Sequence, residues 1–265
     1  MSEVRPCCLT IAGSDSGGNA GVQADLRAVH AYGLHGCTVL AALTAQNPHG
    51  VSAIHAVPPD FVAAQLDAVL GVYDIRALKT GMLNDAAVIE AVAARIAARP
   101  EISKVIDPVM IATSGARLLR ADAADALARL LVPLATLVTP NIPEAAALCG
   151  RDGDAATMAR AIYDRFGCAV LVKGGHGEGG ESVDVLCDAG GIRQFSLPRI
   201  ENPVSTHGTG CTLAAAIAAE LALGRGVAQA IEGAKRHVHS AIARSYLVGD
   251  GCGVLGFAEG EGDDD

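Results

Sequence analysis

Residues 7–33 read CCLTIAGSDSGGNAGVQADLRAVHAYG. The apolar run Cys7–Ala12 has the length and character of a buried strand, and GSDSGGNAG at 13–21 is a glycine-rich turn. Residues 22–32 carry helical periodicity, and Gly33 marks the stop. A second apolar strand follows at 37–45 and ends at Gln46-Asn47-Pro48. A strand, a glycine turn, a helix and a second strand make up the unit from which parallel sheets are built.

The unit repeats along the chain. Strands are predicted at 51–57, 75–79, 104–107, 134–139 and 168–173, with helices at 59–69, 85–98, 121–131 and 155–166 and a short one starting near Pro143. The last third changes rhythm. Residues 183–188 and 191–197, joined by Ala-Gly-Gly, read as an antiparallel hairpin. Thr206-His207-Gly208-Thr209-Gly210-Cys211 then leads into an alanine-rich helix to about 223, and a last helix spans 227–246. This alternation predicts an α/β fold with a mostly parallel sheet covered on both faces, whose ligands bind at the carboxyl ends of the strands. Residues 1–255 are expected to form one domain. Residues 256–265, GFAEGEGDDD, are expected to form a disordered acidic tail.

Composition narrows the function. With 51% hydrophobic residues the 265-residue chain is too apolar for intrinsic disorder. A net charge of −9 and the lack of a basic stripe argue against a nucleic-acid binder. No apolar run is long enough to span a membrane, and the first residues lack the pattern of a signal peptide, so a cytoplasmic location is expected. The eight cysteines include no CxxC pair, which disfavours a zinc or disulfide framework. Only four of the 20 basic residues are lysines, and two of them, Lys79 and Lys173, end predicted strands.

The chemistry-bearing segments sit at those strand ends. In 206–211 the glycines let the backbone approach a ligand, and the free N–H groups and dipole of the following helix attract an anion. A tight turn built for geometry alone fits the same residues. The Walker pattern is absent and GxGxxG does not follow the first strand, so a Rossmann dinucleotide site is disfavoured and any nucleotide binds in another way. Asp107 and Glu144 follow two strands and offer oxygen ligands of the kind Mg²⁺ takes alongside phosphate. Taken singly, Asp107 is equally a turn residue before Pro108, and Glu144 a first-turn helix carboxylate. Lys173, followed by two glycines, is either a phosphate partner or a solvated loop residue. Asp15 and Asp25 near the first glycine turn argue against an anion site there. Gln46 has an amide that both donates and accepts, which suits the edge of a heterocycle. Cys211 lies in the first turn of a helix, where the dipole favours thiolate and a bound polyphosphate would oppose it.

Seven segments in chain order carry a resemblance: AGSDSGGNAGVQADL at 12–26, TAQNPHGV at 44–51, KTGML at 79–83, DPVM at 107–110, TPNIPEAAAL at 139–148, VKGGH at 172–176 and THGTGCTLAAAIAA at 206–219. Together they resemble the ribokinase-like superfamily and, within it, the hydroxymethylpyrimidine/phosphomethylpyrimidine kinases of thiamine biosynthesis. The resemblance implies a three-layer α/β/α sandwich, usually homodimeric, that transfers the γ-phosphate of ATP to a pyrimidine hydroxymethyl group and often to the monophosphate. It implies an anion hole formed by Gly208 and Gly210 with Cys211 and Lys173 as catalytic groups. Asn141, Lys173, Thr206 and Thr209 fall on the ATP side, and Asp107 and Glu144 in the Mg²⁺ region. Gly13, Ala20, Asp25, Gln46, Met82 and Val109 fall at the pyrimidine pocket. A monovalent cation is a further candidate. Neither a nucleic acid nor a membrane is implied as a partner.

Cys211 takes the place of the aspartate base of sugar-kinase relatives. Asn19 stands where the family commonly has glycine, a position where tolerance of positive φ matters. A pyridoxal kinase built on the same site, and a catalytically silent ligand sensor, are the alternatives.

Overall fold

The computed structural model describes residues 5–110, 121–175 and 179–257. Nine strands form one sheet in the order β3-β2-β1-β4-β5-β6-β7-β8-β9. These are β1 (Cys7–Asp15), β2 (His35–Asn47), β3 (Gly50–Ala56), β4 (Ile75–Thr80), β5 (Ser103–Ile106), β6 (Leu137–Val138), β7 (Ala169–Val172), β8 (Glu181–Asp188) and β9 (Gly191–Pro198). The six strands from β2 to β7 run parallel, while β3, β8 and β9 give antiparallel edges. The chain leaves β1 for β2 on one side and returns to β4 on the other. That reversal of strand order opens a crevice at the carboxyl ends.

Alternation along the central strands creates two cores. Ile106, Val138, Val170 and Val172 point into one, whereas Val105, Leu137 and Leu171 point into the other. Helices α2 (Pro59–Leu70), α3 (Ala86–Ala97) and α6 (Ala155–Phe166) cover the first face, together with α4 (Ala121–Ala126) and α5 (Ile142–Cys149). Helices α1 (Gly21–Ala31), α7 (Thr209–Ala222) and α8 (Val227–Ala243) cover the second. The alanines of α7 are buried almost throughout, and such small side chains let this helix lie close to both sheet and neighbours. Gly233 of α8 makes the approach possible, since a Cβ there would fall 2.1 Å from Glu220 Oε1.

Several boundaries differ from the sequence expectation. The 121–131 helix becomes a π turn at Leu127–Leu131 and then a 3₁₀ turn at Val132–Leu134, where Pro133 lacks the N–H to continue it. This leaves β6 only two residues long. Helix α8 stops at Ala243, and the chain forms a small hairpin of β10 (Tyr246–Val248) and β11 (Cys252–Val254). Its signal was present in Gly249-Asp250-Gly251, where both glycines adopt left-handed φ of 58° and 98°. Gly256 and Phe257, assigned above to the tail, are packed: Gly256 N–H donates to Ala241 O, and the Phe257 ring lies under Arg27. Residues 258–265, like His176, lie outside the described residues.

Candidate active site

A cavity of about 590 Å³ lies over the strand ends. Gly13, Ala20, Gln46, Met82 and Val109 line it from the β2-β1-β4 side. Gly13 leaves room for a neighbour, because a Cβ there would sit 3.3 Å from Met82 Cε. Asn141, Glu144, Asp107 and Lys173 line the middle, and Thr206, Gly208, Thr209, Gly210 and Cys211 form one wall.

The glycine-rich turn after β1 is organised from within. Asp15, buried, accepts the backbone N–H groups of Gly17 (2.8 Å), Asn19 (2.9 Å) and Ala20 (2.8 Å). Its charge is therefore directed into the loop, and does not argue against an anion nearby as the sequence reading had it. Arg27 donates to Gly18 O and holds the loop from α1. Asn19 is buried without adopting positive φ; Gly18 and Gly21 take the left-handed conformations at 76° and 57°. The turn is thus made by Gly18 and Gly21, and Asn19 carries no left-handed strain.

The 206–211 turn rests on this loop. Gly208 has φ of 86°, and a Cβ there would lie 2.0 Å from Asn19 O. Thr209 caps its own turn, its hydroxyl donating to Thr206 O at 3.0 Å. The first residues of α1 and α7, Gly21 and Cys211 among them, line the same cavity. Burial pushes the Cys211 thiol up from its ordinary value, and Asp25 and Asp107 add to this, outweighing the pull of Lys79 and the Gly21 N–H. The dipole argument for a thiolate thus loses to desolvation.

Two lysines flank the cysteine. Lys79, fully buried, donates to both oxygens of Asp25 at 2.9 Å, and Thr10 donates to Asp25 Oδ2 at 2.5 Å. Burial works to lower the Lys79 ammonium, but Asp25 prevails and holds it above its ordinary value. Lys173 Nζ donates to Asp107 Oδ1 at 2.8 Å, and Thr139 donates to the same oxygen at 3.1 Å. Lys173 is raised in the same way, with burial overcome by Asp107 and Glu144. Glu144 forms a capping box with Asn141: Oε2 accepts the Asn141 N–H, and Asn141 Oδ1 accepts the Glu144 N–H, both at 2.9 Å. Burial and the neighbouring Asp107 push Glu144 up. Two carboxylates lining the same cavity, with one ammonium paired to Asp107, suit an oxygen-loving cation.

The structure brings together all of the sequence-predicted site residues except Asp25. That carboxylate does not line the cavity; it lies beneath the wall as the counter-ion of Lys79. Lys79 itself lines the cavity, and the sequence reading noted it without giving it a role. Missed altogether was the β8–α8 end. There Lys235 donates to Asp184 Oδ2 at 2.6 Å, and Asp184 Oδ1 accepts the N–H of Gly174, the residue after Lys173. The signal was a lysine on the buried, small-residue face of α8 between Ala234 and Val238. Gln46 is fixed through its backbone, whose N–H and carbonyl both meet Ser16 Oγ, at 2.8 and 2.7 Å.

Comparison with known proteins agrees with this geometry. The chain is 47% identical over 254 residues to the hydroxymethylpyrimidine/phosphomethylpyrimidine kinase of Rhizobium meliloti, covering 93% of this chain and 95% of the relative. It is 49% identical over 255 residues to the thiamine biosynthesis bifunctional protein ThiED of Geobacter sulfurreducens, covering 95% of this chain but only 52% of that protein. The chain therefore spans about half the length of the bifunctional relative. The pyridoxal kinase of Bacillus subtilis, solved as an ADP complex, superimposes with a TM-score of 0.87 at 35% identity, covering 95% of this chain and 97% of that one. The model of the phosphomethylpyrimidine kinase family matches residues 15–256, a span that runs from the first glycine turn to the end of the last hairpin, and the chain belongs to that family of ribokinase-like phosphotransferases.

Proposed function

We propose that the protein transfers the γ-phosphoryl group of ATP to 4-amino-5-hydroxymethyl-2-methylpyrimidine, and then a second one to the resulting monophosphate, in thiamine diphosphate biosynthesis. The observation that carries this reading is that the first residues of α1 and α7, Cys211 among them, line one cavity together with Lys79, Lys173, Asp107 and Glu144. In the transfer, the substrate hydroxyl oxygen bonds to the γ-phosphorus as the bond to the β–γ bridging oxygen breaks, and ADP departs. The backbone N–H groups of Gly208, Gly210 and Cys211 face the charge that spreads over the phosphoryl oxygens, with Lys173 beside them. Cys211 orients the hydroxyl, and in its thiolate form, which burial confines to the alkaline side, takes the hydroxyl proton late and becomes the neutral thiol. Gln46 reads the ring edge, while Gly13, Ala20, Met82 and Val109 shape the ring pocket. Asn141, Thr206 and Thr209 position the nucleotide phosphates. Asp107 and Glu144 would hold Mg²⁺, which supplies charge neutralisation on the phosphates; the hard oxygen donors present fit that ion.

ADP release by the purified protein with Mg²⁺, ATP and the hydroxymethylpyrimidine tests the reading. Turnover is expected, and none above background would favour a silent ligand sensor. The structural likeness to a pyridoxal kinase supports a second reading on the same site. A kcat/KM for pyridoxal above that for the pyrimidine would favour it. The reading also includes a cytoplasmic homodimer. No described helix is long and apolar enough to cross a membrane, and Leu43 and Ile54 are exposed on the β2–β3 hairpin. Sedimentation velocity checks the dimer.

A further inference from the structure

The β2–β3 hairpin and the C-terminal β10–β11 hairpin meet outside the cavity. At the meeting point His49 Nε2 lies 3.2 Å from Asp250 Oδ2 and 3.6 Å from Cys252 Sγ, and Cys252 Sγ lies 3.0 Å from Asp250 Oδ1. Among the described residues this is the one group of three His, Cys, Asp or Glu side chains whose donor atoms all fall within 4.8 Å of one another. None of the three lines the cavity.

We propose that His49, Asp250 and Cys252 form a binding site for one divalent cation of the Zn²⁺ class. Zinc bonds of about 2.0–2.3 Å at tetrahedral angles set neighbouring ligand atoms about 3.3–3.6 Å apart. The imidazole–carboxylate and imidazole–thiol separations already lie at or just below that spacing, so the cation enters with small side-chain adjustments. The donor set selects the metal. A thiolate and an imidazole suit a borderline-soft ion, whereas Mg²⁺ takes oxygen ligands and keeps its waters. Three protein ligands leave a fourth position for water.

The backbone around the donors is fixed. The His49 N–H donates to Asn47 Oδ1 at 2.9 Å, and Cys252 is held in the β10–β11 ladder opposite Val248. Gly249 and Gly251 turn the chain so that Asp250 projects between them. His49 and Asp250 are 201 residues apart in sequence. A bound ion would therefore clip the hairpin that carries Gln46 to the C-terminal end of the chain.

Titration of the chelator-treated full-length protein with Co²⁺, followed by absorbance, tests the site. One equivalent is expected to produce a thiolate-to-cobalt charge-transfer band in the near ultraviolet. Zn²⁺ should abolish that band, and millimolar Mg²⁺ should leave it. Cys252→Ser should lose the band, and His49→Ala should weaken Co²⁺ binding at least tenfold. Cys149→Ser, altering a partly exposed thiol elsewhere, should change neither. Zn²⁺ should also raise Tm in the wild type and not in His49→Ala. Absence of a thiolate band in the wild type would mean a merely hydrogen-bonded triad, and its persistence in Cys252→Ser would place the metal at another cysteine. Either result overturns the proposal.

Discussion

Replacing Gly208 by alanine separates the two things this glycine does from those done by Gly210, two residues on. At Gly208 the backbone has φ of 86°, and a Cβ would fall 2.0 Å from the carbonyl oxygen of Asn19. A non-glycine residue in the left-handed region costs about 1–2 kcal/mol. The overlap is with backbone, not with the end of a flexible side chain, and relieving it adds about 1–3 kcal/mol. Gly208→Ala should therefore destabilise the protein by about 2–5 kcal/mol, which for a chain of this size lowers Tm by roughly 4–20 °C. Because the methyl pushes the 206–211 turn away from the first glycine loop, kcat should also fall by about two orders of magnitude. At Gly210 a Cβ would meet only Lys173 Nζ, at 3.6 Å, and φ is not left-handed. Gly210→Ala should leave Tm unchanged or slightly raised, since alanine favours the helix by about 0.5–1 kcal/mol, and should lower kcat through the methyl placed beside Lys173. Differential scanning calorimetry and ADP release on both variants check this. If Gly208→Ala melts within about 2 °C of wild type, or if the two variants lose the same stability, then the turn does not depend on contact with Asn19.

The other predictions concern the polar groups of the cavity. Cys211→Ala should lower kcat sharply while ATP still binds, and calorimetric loss of ATP binding would count against the assigned role. Because burial raises the Cys211 thiol, the thiolate forms only on the alkaline side of the ordinary thiol range. The pH profile of kcat should therefore rise toward alkaline pH in the wild type and lose that limb in Cys211→Ser. Gln46→Leu should raise KM for the pyrimidine at least tenfold at unchanged Tm, and an unchanged KM would remove Gln46 from ring recognition. Lys79→Met should cost about 3–5 kcal/mol by leaving Asp25 charged and buried, and the double variant with Asp25→Leu should recover most of that loss. Chemical denaturation giving additive effects would refute the coupling.

What the sequence reveals follows what is local. The strand–turn–helix alternation, the edge hairpin of β8 and β9 and the glycine turns at strand ends are each written in a dozen consecutive residues. The nine-strand order and the convergence of α1 and α7 are set by packing between distant segments. Single residues show the difference. Asp25, in a motif that the resemblance places at the pyrimidine pocket, is turned under the wall by Lys79, a partner 54 positions away. Asp15 reads as a repelling charge until its three backbone donors are seen. Lys235 and Asp184 stand 51 positions apart, and no local pattern marks them as a pair.

These pairings also bear on how an acidic protein holds a polyphosphate. Lys79, Lys173 and Lys235 all line the cavity, and each is matched by an aspartate at 2.6–2.9 Å. As side chains these pairs nearly cancel, so they supply little net positive field to an approaching anion. The backbone adds to them: the N–H groups at the starts of α1 and α7, whose preceding loops are held together by the close approach of Gly208 to Asn19. A lysine held by an aspartate is charged and stationary before substrate arrives, so it need not be ordered on binding. The formal charge of −9 is therefore a poor guide to phosphate affinity, because five of those charges lie in residues 259–265 and each of the three cavity lysines is paired locally. On this account affinity for ATP should respond less to added salt than to displacement of the Gly208 turn.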